Sequence, residues 1–404
     1  MNIVAIGDSN LKIADGNYSA KYPRSEEFIS EGIPFIRGNN FENKSISDKN
    51  MYFISPEKHS ELKKGHVKPK DVLITTRGNI GKVALVPERH DDSNINSQLV
   101  LLRCNKGWHP EYLLHTFNSK FVTRQIPALI TGSALKQLSV KNLKKLKIPL
   151  PPLDQQKKIA AILDAADAYR QKTKALITKY DELTQSLFLD MFGDPVENTK
   201  GWEVIKLKDL TSKIHSGNTP KGGSKVYINE GITFFRSQNV WKNNIVYDGV
   251  AHIDDATHKS MLKSSLRHKD ILMTKTGRIN TENSSLGRAA MYLGEDDRAN
   301  VNGHVYLIRL NEGVNNEFVL HILTSKEYRG HIRSVCVGGI DKRQLNKGHI
   351  EDFPIISPPI EMQEKFIKNL LITKGHKDNL KLSLAQAEDL FNSLLQRAFK
   401  GELV

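Results

Sequence analysis

Cysteine is nearly absent: Cys104 and Cys336 are the two in 404 residues. So few cannot supply a disulfide framework or a cysteine metal centre, and a reducing, cytoplasmic setting is expected. Long apolar runs are also missing, and none approaches the roughly 20 residues of a membrane-spanning helix. The start, MNIVAIGDSNLKIADGN, has no charged leader followed by an apolar stretch, so no signal peptide and no membrane partner is expected. Acidic residues are in the minority, 45 against 59 Lys and Arg, which leaves a net charge of +14. That surplus is unevenly placed. Residues 1–149 hold 23 basic against 14 acidic side chains and residues 196–356 hold 23 against 18, whereas 150–195 and 357–404 come to −1 and +1. The positive field therefore belongs to two regions separated by neutral ones, and such a field attracts nucleic acid or another polyanion.

A catalytic constellation is missing as well. The Leu150-Pro151-Pro152-Leu153 and Ser357-Pro358-Pro359-Ile360 stretches lack the aromatic residue that stacks on a flipped base, and read instead as helix starts. The glycine-rich run Gly217–Ser224 lacks the Gly-Lys-Ser/Thr ending of a phosphate loop, and Gly78–Lys82 is too short for one. His252 and His258 lie six apart, without metal-ligand spacing, and are expected to be solvated. Glu203 and Lys206 read as a surface ion pair. No metal site and no bond chemistry are expected in this chain.

What is present is a long helix signal, twice. From Pro149 to Phe192, after Pro151-Pro152, apolar or small residues recur at Ile159, Ile162, Ala166, Tyr169, Thr173, Leu176, Tyr180, Leu183 and Leu187. The alternation of threes and fours predicts a coiled-coil seam, and Gly193 and Pro195 stop it. The C-terminal stretch repeats the pattern 207 residues later: Pro358-Pro359, Gln363 for Gln156, Phe366 for Ile159, Leu370 for Leu163, Leu394 for Leu187 and Phe399 for Phe192. Its seam runs through Leu380, Leu384, Ala387, Phe391, Leu394 and Ala398.

The segments before each helix repeat too. GIPFIRGNNF (from Gly32) is answered by GITFFRSQNV (from Gly231) and KDVLIT (from Lys70) by KDILMT (from Lys269), both 199 residues apart. INSQLVLLRC is answered by VNGHVYLIRL at an offset of 206, so about seven extra residues enter near Ile279–Ser285. Asp71–Pro87 reads as strand, glycine turn, strand, Ser97–Cys104 as a further strand, and Pro110–Ile126 as one helix. Residues 1–10 lack a counterpart of Trp202, so a shortened or different edge is expected there. The copies agree at apolar positions and differ at polar tips. Thr76-Arg77-Gly78-Asn79 stands against Lys275-Thr276-Gly277-Arg278, and Gly132–Gln137 stands against Gly339–Gln344. Readers of two different sequences would diverge in this way, and so would drifting surface loops.

With these residues in place, the sequence resembles the specificity subunit of type I restriction-modification enzymes over essentially its full length. The resemblance rests on IPLPPLDQQKKIAAIL and IISPPIEMQEKFIKNL opening the two helices, on Phe192-Gly193-Asp194 closing the first, and on Gly201-Trp202 beginning the second half. It implies an α+β protein: two mixed α/β target-recognition domains, 1–149 and 196–356, and two long helices, 150–195 and 357–404, packed as an antiparallel coiled coil, the whole an internal twofold repeat. Each domain would read one half of a bipartite, asymmetric DNA site, with the helices as a ruler. The implied partners are double-stranded DNA, two modification subunits and restriction (motor-nuclease) subunits. S-adenosylmethionine, ATP and Mg would reside on those partners, with no cofactor in this chain. Two other readings stay open: a coiled-coil scaffold binding nucleic acid non-specifically, and a methyltransferase or nuclease whose site escapes recognition.

Base readout needs Arg, Lys, Asn or Gln at base edges. The candidates in the first domain are Arg37, Asn39, Arg77, Asn79, Lys136 and Gln137. In the second they are Arg236, Gln238, Lys275, Arg278, Lys342, Arg343 and Gln344.

Overall fold

The computed structural model describes residues 2–18, 21–279, 281, 283–339 and 341–403. Asn280 and Glu282 of the seven-residue insertion, and Ile340 of the second divergent loop, lie outside them. The chain divides into two units, one comprising 1–176 with 380–404 and the other 177–379. Each unit is therefore a globular half joined by part of both long helices.

In the first unit Lys12–Asp15, Leu99–Arg103, Val72–Thr75 and Val83–Leu85 form, in that order, an antiparallel four-stranded sheet. A smaller sheet orders Tyr52–Ile54, Ile33–Ile36 and Asn94–Ile95, with the last pairing parallel. The second unit repeats both: Thr211–Ser216, Val305–Leu310, Ile271–Thr274 and Ala289–Met291, then Ala251–Ile253, Ile232–Phe235 and Ala299–Val301. The strands at sheet centre are uninterrupted apolar runs such as VLIT and ILMT, buried at every position. Both faces of such a strand must be covered, and helices and the smaller sheet cover them.

Each unit also locks its central sheet with the same buried ion pair. Arg103 Nε and Nη2 donate to the two oxygens of Asp71 at 2.8 and 2.7 Å, and Arg309 does the same to Asp270 at 2.9 and 2.8 Å. Both aspartates are 1% exposed, so a fork-to-fork geometry is required to offset their desolvation.

Several sequence expectations change on contact with the structure. The edge of the first copy is neither shortened nor different: Ile3–Ala5 pairs with Lys147–Pro149 just as Val204–Lys206 pairs with Pro354–Ile356. What it lacks is only the Trp202 anchor, whose indole N–H donates to the Phe192 carbonyl at 2.9 Å in the second copy. The stretch Pro110–Ile126 is not one helix. It breaks after Asn118 because Ser119 turns extended and its hydroxyl accepts from Val122 N, starting a new turn. Lys206 pairs with Asp352 at 2.8 Å rather than with Glu203, since the antiparallel register sets it beside the Pro354 end of its neighbour. His258 is buried rather than solvated, held by Asn300 Oδ1 at 2.5 Å.

The long helices run Leu153–Phe192 and Ile360–Lys400, each starting directly after its Pro-Pro pair. Gly193 ends the first at φ +74°, a left-handed cap that a side chain would strain. Fully buried Gln156 fixes the first start: its amide donates to the Gly107 and Pro151 carbonyls, both at 2.9 Å, and its oxygen accepts from His109 N. Gln363 repeats the bond to Pro358 at 2.8 Å.

Within each unit the helix segments pack antiparallel. In the first, Ile159 and Leu163 meet Phe391, Leu395, Ala398 and Phe399 in one core with the globular half. In the second, Phe188 and Phe192 meet Phe366, with ring centroids 5.3 and 5.6 Å apart. The seam of the first helix is displaced from the expected one. Tyr169, Leu176 and Leu183 are 56%, 37% and 55% exposed. Their places are taken by Arg170, Ile177 and Thr184, one residue further on. At Arg170 the surroundings are polar: Asp167 on this helix bonds Lys44 of the globular half at 2.7 Å, while Arg170 and Lys44 lie 4.3 and 4.6 Å from the Phe391 ring. Burial pulls the Lys44 amine below its usual range, and the Asp167 hydrogen bond opposes it.

Candidate nucleic-acid interface

In the first unit the strand Val72–Thr75 runs out into Thr76–Asn79, and the loop 131–137 returns against it. Arg77 bridges Gln137 in antiparallel register, Thr131 also pairs with Gln137, and Leu138 N donates to the Thr76 carbonyl at 2.9 Å. Arg77 Nε donates to Gln137 Oε1 at 3.0 Å, with its guanidinium 5.6 Å from the Tyr18 ring. Asn79 and Lys136 are exposed beside them. Segments some 60 residues apart thus converge on one rim carrying Arg77, Asn79, Lys136 and Gln137.

A third segment completes the rim. Thr76 N donates to the Gln98 carbonyl at 2.8 Å, and the turn there is closed by Asn96 Oδ1 accepting from Gln98 N at 3.2 Å. The Gln98 side chain is exposed. Burial raises the Tyr18 phenol above its usual value while Arg77 pulls the other way, so the hydroxyl stays neutral and able to donate.

The second unit builds the same rim more regularly. Thr276–Arg278 and Lys342–Gln344 pair as strands, with Gly277 opposite Arg343 and Arg278 opposite Lys342, and Val337–Gly338 adds a third strand. Lys342 and Gln344 are exposed, and Arg343 is half-buried. Arg278 Nε lies 3.2 Å from Asp341, an exposed pair that contributes little net stability. Lys275 N donates to the His304 carbonyl at 2.8 Å, and its ammonium stands 5.8 Å from the Tyr306 ring. Asn302 Oδ1 closes the His304 turn at 3.1 Å, as Asn96 does for Gln98.

Arg37 and Arg236 are placed differently. Arg37 Nη2 donates to the Asn50 carbonyl at 2.8 Å and its guanidinium lies 3.3 Å from the Tyr52 ring centroid. Arg236 Nη2 donates to the Gly249 carbonyl at 2.6 Å. Both backbone N–H groups are capped by an asparagine, Asn40 and Asn239, at 3.0 Å. These arginines tie the turn after a strand to a neighbouring loop, a structural task that accounts for their presence in both copies. Their turn-mates Asn39 and Gln238 are exposed. The turn itself abuts the rim, since a Cβ on Gly38 would sit 3.0 Å from Thr75 Cγ2.

Sequence reading missed Tyr18, Gln98 and His304. The signal for the last two lay in the repeat: Asn96-Ser97-Gln98 and Asn302-Gly303-His304 occupy matching places, each an asparagine-closed turn exposing one polar side chain. Tyr18 carries no such signal, being brought to Arg77 by tertiary structure alone.

Two copies of one scaffold each gather cationic and polar side chains from three chain segments onto one rim. The family model for the type I restriction modification DNA specificity domain matches residues 13–183 and again 199–372. The chain belongs to this family, and its role is in DNA sequence specificity. It is similar to the StySPI specificity subunit of Salmonella potsdam, 23% identical over 396 residues covering 92% of this chain and 82% of the relative. The EcoKI specificity subunit of Escherichia coli K12 is 20% identical over 392 residues, covering 92% and 82%. Among solved structures, the type I restriction-modification S subunit from M. genitalium covers 98% of this chain and 96% of its own, at 17% identity and a TM-score of 0.56. Among the described residues no helix is long and apolar enough to cross a membrane.

Proposed function

We propose that each unit reads one part of a two-part, asymmetric duplex site, the first through Arg77, Asn79, Lys136, Gln137 and Gln98, the second through Lys275, Arg278, Lys342, Arg343, Gln344 and His304. The observation that carries this is the contrast within each copy: matching sheets, buried ion pairs and turn caps support rims whose side chains differ. In this reading the chain holds no catalytic residues. Two modification subunits bring S-adenosylmethionine to the site the chain selects, and motor-nuclease subunits with ATP and Mg join for cleavage. Resemblance to specificity subunits supports these partners.

Mapping methylated bases genome-wide in cells carrying the chain with its modification subunit should yield one split sequence. Exchanging residues 275–278 and 337–344 for another set should change one part of it and leave the other. Methyl transfer by the isolated chain, or methylation without a shared sequence, would overturn the reading.

A further inference from the structure

In the first unit two histidines and an aspartate converge away from the rim. His59, on the helix Pro56–Glu61, His66, in the following loop, and Asp92, at the turn before Asn94, place one ligand atom each within 4.8 Å of one another. His59 Nε2 lies 3.2 Å from Asp92 Oδ2, and His66 Nδ1 lies 3.0 Å from Asp92 Oδ1. The two rings stand edge to face at 4.5 Å.

The far nitrogens decide what the near ones are. His66 Nε2 faces the Leu62 carbonyl, which can only accept, so this nitrogen carries a proton. His59 Nδ1 faces Asn94 Oδ1 at 2.5 Å. The same amide orientation recurs in the second unit, although Asn94 Nδ2 itself lacks a hydrogen-bond partner. There Asn300 turns Oδ1 to His258, while its nitrogen donates to the Met261 carbonyl at 3.0 Å and to Ser264 Oγ at 3.2 Å. Asn94 turned the same way makes His59 Nδ1 a donor as well. In the neutral rings, the lone pairs of His59 Nε2 and His66 Nδ1 then point at the lone pairs of a carboxylate. Three acceptors facing one another repel unless something positive lies among them.

We propose that His59 Nε2, His66 Nδ1 and an Asp92 oxygen bind a divalent transition-metal ion of the zinc class, the fourth position open to water. Two imidazoles and one carboxylate are borderline and hard ligands suited to such an ion. Each imidazole already donates its other N–H to an oxygen acceptor, the outer arrangement that orients metal-bound histidine. The second unit lacks the site and shows what replaces it. Ser265 stands where His66 does, and its hydroxyl donates to Asp297 Oδ1 at 2.7 Å, satisfying the carboxylate without a cation. The metal would fasten the helix Pro56–Glu61 and its loop to the Asp92 turn, a structural staple peculiar to one copy.

The test is titration of the purified full chain, stripped with chelator, with Zn2+ by calorimetry and with Co2+ by visible absorption. Expected are one high-affinity site per chain, the d–d bands of tetrahedral Co2+, and a raised thermal midpoint with Zn2+. His66→Ser installs the residue the second copy carries at the matching place. It should weaken affinity by more than the roughly 10–100-fold typical of losing an outer-shell partner, and Asp92→Asn should abolish the Co2+ bands. A thermal midpoint without metal, compared with that of the parent chain, reads any folding defect separately. Absence of tight binding in the parent chain, with the histidines held instead as imidazolium partners of Asp92, would overturn the proposal. So would binding that persists unchanged in both variants.

Discussion

The two copies share the layout of their interiors, sheet for sheet and ion pair for ion pair, and part company at their rims. In the first, the loops that meet there are joined by isolated bridges around Gln137; in the second, the equivalent segments lengthen into a three-stranded sheet through Lys342–Gln344. The interiors coincide because both must bury the same sheets and satisfy the same carboxylate under them. The rims face solvent, where a side chain meets no such demand. A duplicated scaffold can therefore change what it reads at each end without being refolded.

That contrast can be broken most severely from inside. Asp71→Asn or Asp270→Asn leaves a partly exposed guanidinium with half its partner, and each should cost about 2–4 kcal/mol in denaturant unfolding. Equal losses in both copies support the shared interior, and a loss confined to one would divide them.

Acid should divide the copies next. His115 of the first unit bonds Asp164 at 2.7 Å, whereas its counterpart His321 sits against Phe188 and Phe366 at 4.8 and 4.9 Å. Burial pushes His321 down to about 4. Its folded form thus refuses a proton that the unfolded chain accepts below about pH 6.5. The stability this group permits is complete above that pH, falls as pH drops, and levels off near the folded value of about 4. Between pH 7 and 4.5 the loss should be on the order of 2–3 kcal/mol, and His321→Leu should flatten that part of the pH profile.

At the rims the expected effects are on recognition. Gln137→Ala or Arg278→Ala should cost roughly 1–3 kcal/mol of discrimination at one base pair if the side chain reads a base edge, seen in binding to single-substituted duplexes. Arg37→Ala and Arg236→Ala should instead lower the unfolding midpoint and leave base preference intact. Smallest of all, Tyr169→Ser and Leu183→Ser should change the unfolding free energy of the chain by less than about 0.5 kcal/mol, because neither lies in the seam.

The architecture was legible because its signals are periodic and doubled: apolar strands, Pro-Pro helix starts and a constant offset survive without knowledge of contacts. The seam of the first helix was misread at Tyr169, Leu176 and Leu183 for a reason no period shows. Two stripes that differ by one residue at every second position fit the same alternation of threes and fours, and only tertiary contacts, such as that of Asp167 with Lys44 more than a hundred residues away, choose between them. The meeting of Arg77 with Gln137 was half legible, since both loops were recognised as divergent and only the fold joined them. Arg37 and Arg236 were chosen for their chemistry, and one nitrogen of each guanidinium, Nη2, donates to a backbone carbonyl that sequence does not reveal.

One further consequence follows from the way the long helices are shared. The second unit is a single continuous segment, 177–379, but the first needs residues 380–404 to finish its core, with Phe391, Leu395, Ala398 and Phe399 coming from that last piece. During synthesis Ile159 and Leu163 leave the ribosome more than two hundred residues ahead of the segment 380–404 that covers them. The later unit carries all of its own core in one continuous segment, so its closure does not depend on that last piece.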